Sequence, residues 1–204
     1  MTEQCFLCNP DPRLIIQRGQ RSFSMVGLGP VTRIYGVFAS LNHVRSLADL
    51  QGSDATAVAE IEQERRRLEA SAGPLLLTEH GRVPVCRDDG DQHEQHCFHA
   101  HALVFSTGTD ITKQVARYYR EYSTFDSINA SLGYAAKHDS YLLTSPNAEI
   151  FHVFVGPLNV PRQLTRSLVA INEGKSHLSD WRSSPNWDAC IEMASSLRAL
   201  WIEA

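Results

Sequence analysis

The stretch His96-Cys97-Phe98-His99-Ala100-His101-Ala102-Leu103-Val104-Phe105 decides the fold, because its polar and apolar residues alternate with a period of two. On a strand, Cys97, His99, His101 and Leu103 share one face, while Phe98, Ala100, Ala102 and Val104 share the other. The spacing therefore predicts a strand over 97–105. His99 and His101 project in parallel, roughly 6.5–7 Å apart along that strand. With zinc–nitrogen bonds of about 2.0–2.1 Å, both cannot easily chelate one ion. The spacing suits a division of labour in which one imidazole holds a metal and its neighbour faces a substrate.

Working outward, strands are expected over 21–26 and 34–39, around the turn Gly27-Leu28-Gly29-Pro30. A helix is expected over 53–72, capped by Ser53 or Asp54, with Val58, Ile61 and Leu68 recurring at helical spacing. Its charged run Glu62-Gln63-Glu64-Arg65-Arg66-Arg67 reads as a solvated face with internal ion pairs. Gly73-Pro74 ends that helix before a short buried strand over 75–78. The polar stretch 86–95 reads as an exposed loop. A helix is expected from Asp110 to about Tyr122, then a hairpin of 141–144 and 150–155 around Ser145-Pro146-Asn147. Pro161 and Pro185 read as first-turn prolines of two closing helices. Antiparallel strand signals with helices clustered between and after them indicate an α+β domain.

The 204-residue chain is long enough for one domain with an elaboration and a sizeable core. Its 43% apolar and 21% charged residues match a globular protein. A net charge of −4 provides no general attraction to nucleic acid or to an anionic membrane. No apolar run approaches the roughly 20 residues needed to span a bilayer. MTEQCFLCNP lacks the basic and apolar regions of a signal peptide, so a cytoplasmic location is expected. There, cysteines stay reduced, and a thiol pair suggests metal or redox chemistry more than a structural crosslink.

Cys5-Phe6-Leu7-Cys8 is such a pair. Two thiolates in a Cys-x-x-Cys spacing can bind one tetrahedral ion. A redox dithiol uses the same spacing but expects a strand before it and a helix after it. Here Asn9-Pro10-Asp11-Pro12 follows, which breaks a helix and favours the metal.

The sequence resembles the histidine-triad (HIT) superfamily of nucleotide hydrolases and transferases. The resemblance rests on Cys5-x-x-Cys8-Asn9-Pro10, the segment from Gly36 through His43 and Ser46 to Leu50, Glu79-His80-Gly81, and His99-Ala-His101, in family order over about the first two-thirds of the chain. It implies an antiparallel sheet flanked by helices over 1–130, with 131–204 a C-terminal hairpin and helices packed on the same domain. It also implies a structural zinc ion held by Cys5, Cys8, His43 and His99, with His101 as the nucleophile. Two registers fit the triad. Cys97 can stand first, or His99 can stand first with His101 in the middle and Leu103 last; the second completes the two-Cys, two-His set.

Glu79 and His80 are expected near the substrate, as are Gln92 and Gln95 before the triad strand. The implied substrate is a nucleotide or nucleotide conjugate, attacked to give a covalent nucleotidyl-histidine. Neither nucleic acid nor membrane is an expected partner, and a homodimer is common among relatives. Leucine cannot donate to a phosphate oxygen, so Leu103 departs from the family pattern. It sets a zinc-stabilised nucleotide-binding protein without turnover beside the enzyme as a second expectation. Gln163-Leu-Thr-Arg166 and Asp180-Trp-Arg182 read as docking and capping residues, His152 as structural, and Cys86 and Cys190 as plain thiols.

Overall fold

A computed structural model describes residues 5–83 and 98–202. Strands β1 (Ile15–Arg18), β2 (Ser22–Val26) and β3 (Tyr35–Ser40) form a meander. Helices α1 (Leu47–Ser53) and α2 (Ala55–Ala72) lead to β4 (Leu75–Gly81), and β5 (His101–Ser106) follows. A one-turn α3 (Thr112–Val115) precedes β6 (Tyr119–Phe125), and α4 (Ile128–Ala135) precedes the hairpin of β7 (Tyr141–Asn147) and β8 (Ile150–Pro157). Helices α5 (Leu164–Asn172) and α6 (Trp187–Ile202) complete the described residues. The strands form one sheet in the order β1-β2-β3-β5-β4-β7-β8-β6, with every pairing antiparallel. The expectation of an α+β architecture with an antiparallel sheet flanked by helices is met.

Helix α2 forms where the 3.6-residue period places it. Asp54 caps it by accepting from the Ala57 N–H at 3.3 Å, and Gly73 ends it at φ 85°. Ala57, Val58, Ile61 and Leu68 are buried with Leu75, Leu77, Ala102 and Val104 on one face of the sheet. Fully burying each of the larger side chains stabilises the fold by about 1.5–3 kcal/mol. The other face, lined by Tyr35, Leu76, Phe105, Leu142 and Phe154, packs with Val115 of α3 and with Leu164, Leu168 and Val169 of α5.

Several expectations are corrected. The helix expected from Asp110 to Tyr122 stops after one α-turn and a 3-10 turn over Ala116–Tyr118, and Tyr119–Phe125 is a strand. Tyr, Ser, Thr and Phe favour a pleated surface, and this segment pairs with β8 from Tyr119↔Pro157 to Phe125↔Phe151. The triad strand begins at His101, and Cys97 lies outside the described residues, as do Cys86, Gln92, Gln95 and the expected 86–95 loop. Pro161 and Pro185 stand just before Gln163 and Asn186, whose positive φ angles turn the chain into α5 and α6, so they are not first-turn residues.

Arg65 is not on a solvated face. It is fully buried, its Nη1 donates to Ser145 Oγ at 2.8 Å, and its Nη2 donates to the carbonyls of Leu75 and Ser145. Arg66 does make the expected internal ion pair, with Glu62 at 3.1 Å. Arg166 is a docking residue as expected. Its guanidinium is 1% exposed and donates to the carbonyls of Leu28, Gly29, Leu178 and Ser179, with the Tyr35 ring 5.2 Å away. One cation thereby ties α5 and the 178–179 segment to the Leu28-Gly29 turn. Among the described residues, no helix is long and apolar enough to cross a membrane.

Candidate functional site

Four side chains from three segments converge at one end of the sheet. Cys5 and Cys8 lie on a turn closed by the Cys8 N–H donating to the Cys5 carbonyl at 3.0 Å. His43 lies between β3 and α1, and His99 two residues before β5. The ligating atoms of all four lie within 4.8 Å of one another, close enough to hold one metal ion. Cys5 Sγ is 3.4 Å from His99 Nδ1, Cys8 Sγ is 3.6 Å from the same nitrogen, and Cys8 Sγ is 3.0 Å from His43 Nδ1. His99 is 2% exposed, and its Nε2 lies 2.8 Å from the Ser40 carbonyl. A carbonyl only accepts, so the ring proton sits on Nε2 and the Nδ1 lone pair points at the thiols. Burial, then the neighbouring Cys5, pushes the Cys8 thiol up to about 11; a bound divalent cation reverses that tendency. Cys190, by contrast, is fully buried with its Sγ near the carbonyls of Gly27 and Pro185.

His101 is the first residue of β5 and points to the sheet face opposite α2. Its Nδ1 lies 2.7 Å from the His99 carbonyl, so Nδ1 carries the proton and Nε2 keeps a free lone pair. Burial is the main cause that lowers its pKa below the usual histidine range. A neutral imidazole with its reactive nitrogen fixed in place can act as a nucleophile. Residue 99 thus links the two groups: its side chain joins Cys5, Cys8 and His43, and its carbonyl orients the His101 ring.

The neighbouring strand β4 sorts the other candidates by parity. Its register against β5 runs Leu75↔Ser106 to Thr78↔Leu103, and His80, two residues past Thr78, keeps the parity of Thr78 just as His101 keeps that of Leu103. His80 therefore shares the His101 face. Its Nε2 lies 3.0 Å from the Tyr119 hydroxyl, and burial, then His101, holds its pKa down at about 4.

Glu79 points the other way. It is 2% exposed under α1, where Oε1 accepts from the Leu47 N–H at 2.6 Å and Oε2 from the Tyr141 hydroxyl at 2.6 Å. The Tyr141 oxygen accepts from the Ala48 N–H, and Ser46 Oγ from the Asp49 N–H. Three first-turn donors of α1 are thereby satisfied, which anchors the loop carrying His43. Glu79, expected near the substrate, thus lies on the face opposite His101 and braces α1. Gly81 admits this bracing, since a Cβ there would lie 2.1 Å from the Tyr141 ring. Gln92 and Gln95 lie outside the described residues.

Sequence reasoning missed Tyr119, assigned to a helix, and Tyr141. The aromatic and β-branched run 118–125 was the available signal for the first. Leu103, half-buried on the His101 face beside Thr78, supplies no donor, and Thr78 Oγ1 bonds to Thr165 of α5 at 3.2 Å. His152 bonds to Thr124 at 2.9 Å across the β6–β8 pair, a structural contact. A cavity of about 260 Å³, lined in part by Gln17, Ser24, Phe38, Glu60 and Arg67, lies under α2 on the far face from His101. Its Glu60 carboxylate is already bonded to Arg21 and Ser22.

In sequence, no protein-family model and no curated protein matches the chain. Among solved structures, a HIT family hydrolase from Clostridium thermocellum aligns at 16% identity with a TM-score of 0.39, covering 54% of this chain and 99% of its own. A histidine triad protein from Clostridium difficile aligns at 16% identity with a TM-score of 0.37, covering 52% of this chain and 91% of its own. The chain is thus an α+β protein similar, over about half its length, to two solved histidine-triad proteins.

Proposed function

We propose that the chain is a nucleotide hydrolase or nucleotidyltransferase of histidine-triad type, with His101 as nucleophile and a structural zinc ion at Cys5, Cys8, His43 and His99. The observation that carries the reading is the 2.7 Å contact of His101 Nδ1 with the His99 carbonyl, which leaves Nε2 unprotonated and, among the described residues, without a hydrogen-bond partner.

The donor set fits zinc. Tetrahedral bonds of about 2.3 Å to sulfur and about 2.0–2.1 Å to nitrogen separate S and N by about 3.5 Å. The Cys5–His99 and Cys8–His99 separations of 3.4 and 3.6 Å bracket that value. The Cys8–His43 separation of 3.0 Å is shorter, and His43 is exposed enough to adjust. Four protein ligands leave no open position, so the ion's contribution is to fasten the N-terminal turn to the start of the histidine strand.

The chemistry falls to His101. Its Nε2 attacks the α-phosphorus of a nucleotide phosphoanhydride, ester or phosphoramidate. A P–N bond forms while the bond from phosphorus to the leaving oxygen or nitrogen breaks, and the departing group takes the electron pair and a solvent proton. Water, or an acceptor hydroxyl, then attacks phosphorus. The P–N bond breaks, its electron pair returns to Nε2, and the acceptor's proton goes to solvent.

The test is a turnover screen over nucleotide phosphoramidates, esters and dinucleoside polyphosphates, with acid quench to trap the adduct. His101→Ala is expected to abolish turnover and the trapped phosphohistidine, while zinc content stays at one per chain. Full turnover by that variant would sink the assignment.

Leu103 favours a second reading, a nucleotide-binding protein without turnover. It predicts thermal stabilisation by nucleotides with no product from any substrate in the screen.

A further inference from the structure

Attack at phosphorus places negative charge on oxygens beside His101, and that charge needs a donor held in place. The next residue on the same face of β5 is Leu103, which has none. Thr78, across from Leu103, has its hydroxyl engaged with Thr165. Among the described residues, the neighbour on this face that carries a side-chain donor is His80.

We propose that His80, presented by Tyr119, is the phosphate-oxygen donor of this site, supplied from the adjacent strand. The inference rests on the nucleotide reading above and deepens it by naming the residue that would contact the phosphoryl group.

Three observations carry it. The β4–β5 register ending at Thr78↔Leu103 puts His80 and His101 on the same face by parity, and His101 is close enough to act on His80 electrostatically. The Tyr119 hydroxyl lies 3.0 Å from His80 Nε2, and it is the hydroxyl's one hydrogen bond among the described residues. Tyr119 is 5% exposed. If Nε2 carried the ring proton, the tyrosine proton would be left unused in the interior, at a cost of about 1–3 kcal/mol. Donation from Tyr119 to Nε2 uses it and moves the ring proton to Nδ1. That N–H lies on the ring edge away from Tyr119, and Nδ1 has no hydrogen-bond partner among the described residues. The pair therefore offers one oriented N–H on the nucleophile's face, and β6 supplies the tyrosine that sets it. The ligand class is a phosphomonoester or phosphodiester dianion or anion, such as the phosphate of a nucleotide.

The test uses full-length, zinc-replete protein and adenosine 5′-monophosphate as the probe. Long-range proton–nitrogen spectra of 15N-labelled wild type read each ring's tautomer. His80 and His101 are both expected as Nδ1–H tautomers, with His80 Nδ1 and His101 Nε2 shifting together on titration. His80→Leu is expected to weaken binding about ten- to a hundred-fold, the loss of a hydrogen bond to a charged group. His80→Gln, which keeps an N–H donor, should recover most of it, and zinc content should stay unchanged in both. Tyr119→Phe should leave the His80 ring in mixed tautomers.

A His80 resonance that stays fixed while His101 moves overturns the proposal and leaves the nucleotide reading standing. So does wild-type affinity in His80→Leu. If neither ring responds to the nucleotide, the nucleotide reading fails first and this proposal falls with it. The wild-type titration decides the matter even where the leucine variant does not fold.

Discussion

Replacing Glu79 with glutamine should change how stability depends on pH, and the size of the change follows from the residue's surroundings. The carboxyl is 2% exposed, and burial pushes its pKa up to about 8, against hydrogen bonds from the Leu47 N–H and Tyr141 that favour ionisation. In the unfolded chain it titrates at the ordinary value of 4.5. Its folded pKa is therefore raised. The stability that the protonated form contributes is complete below about pH 4.5 and is lost as pH rises through about 8. At about 1.36 kcal/mol per pH unit, the loss reaches at most about 5 kcal/mol over that window. That is a large share of the roughly 5–15 kcal/mol that stabilises a typical domain.

The assay is urea unfolding of zinc-replete wild type and Glu79→Gln at half-unit steps from pH 4.5 to 8.5. All other titrating groups are common to the two proteins, so their contributions cancel in the difference. The stability of Glu79→Gln relative to wild type should rise steadily from pH 5 to 8 and then level off. A flat difference, or one that changes only below pH 4.5, would refute the reasoning. It would mean that the Leu47 N–H and Tyr141 hydroxyl hold Glu79 as a carboxylate, outweighing the desolvation.

The metal ligands should differ in their effects. His99→Ala is expected to lose the zinc and to lower Tm well beyond His43→Ala, because His99 is buried and also donates to the Ser40 carbonyl, whereas His43 is exposed. Equal losses, read by metal analysis and thermal unfolding, would contradict this ranking. Arg166→Met removes the donor to four carbonyls. It should cost about 3–5 kcal/mol, or very roughly 6–20 °C in Tm for a chain of this size. A change under about 1 kcal/mol would show that the guanidinium is not what docks α5 onto the Leu28-Gly29 turn.

How much of this was legible depended on how local each interaction is. The cap at Asp54, the stop at Gly73 and the apolar spacing of α2 all lie within one segment, and the helix formed where they indicated. The alternation through His101 and Leu103 likewise set the face of each side chain. The helix expected to run to Tyr122 failed because Tyr119–Phe125 is decided by its partner β8, some thirty residues on. Arg65 belonged by sequence to a charged helix face; it is buried because Ser145 and Leu75 bring a hydroxyl and carbonyls to it. Ending β4 at Thr78 also hid the parity of Glu79 and His80, which only the longer strand reveals.

The sequence by itself determined the chemistry available at the site: two thiols in a Cys-x-x-Cys spacing, and the alternation His99-Ala100-His101-Ala102-Leu103 with an apolar residue third. Spacing and side-chain type suffice for that, because both are properties of short segments. Tertiary structure decided which groups meet. It brought Cys5 and Cys8 to His43 and His99, turned Glu79 beneath α1, and set His80 with Tyr119 beside His101. These pairings depend on strand order and register, which are fixed by burial on both faces of the whole sheet and are written in no single segment.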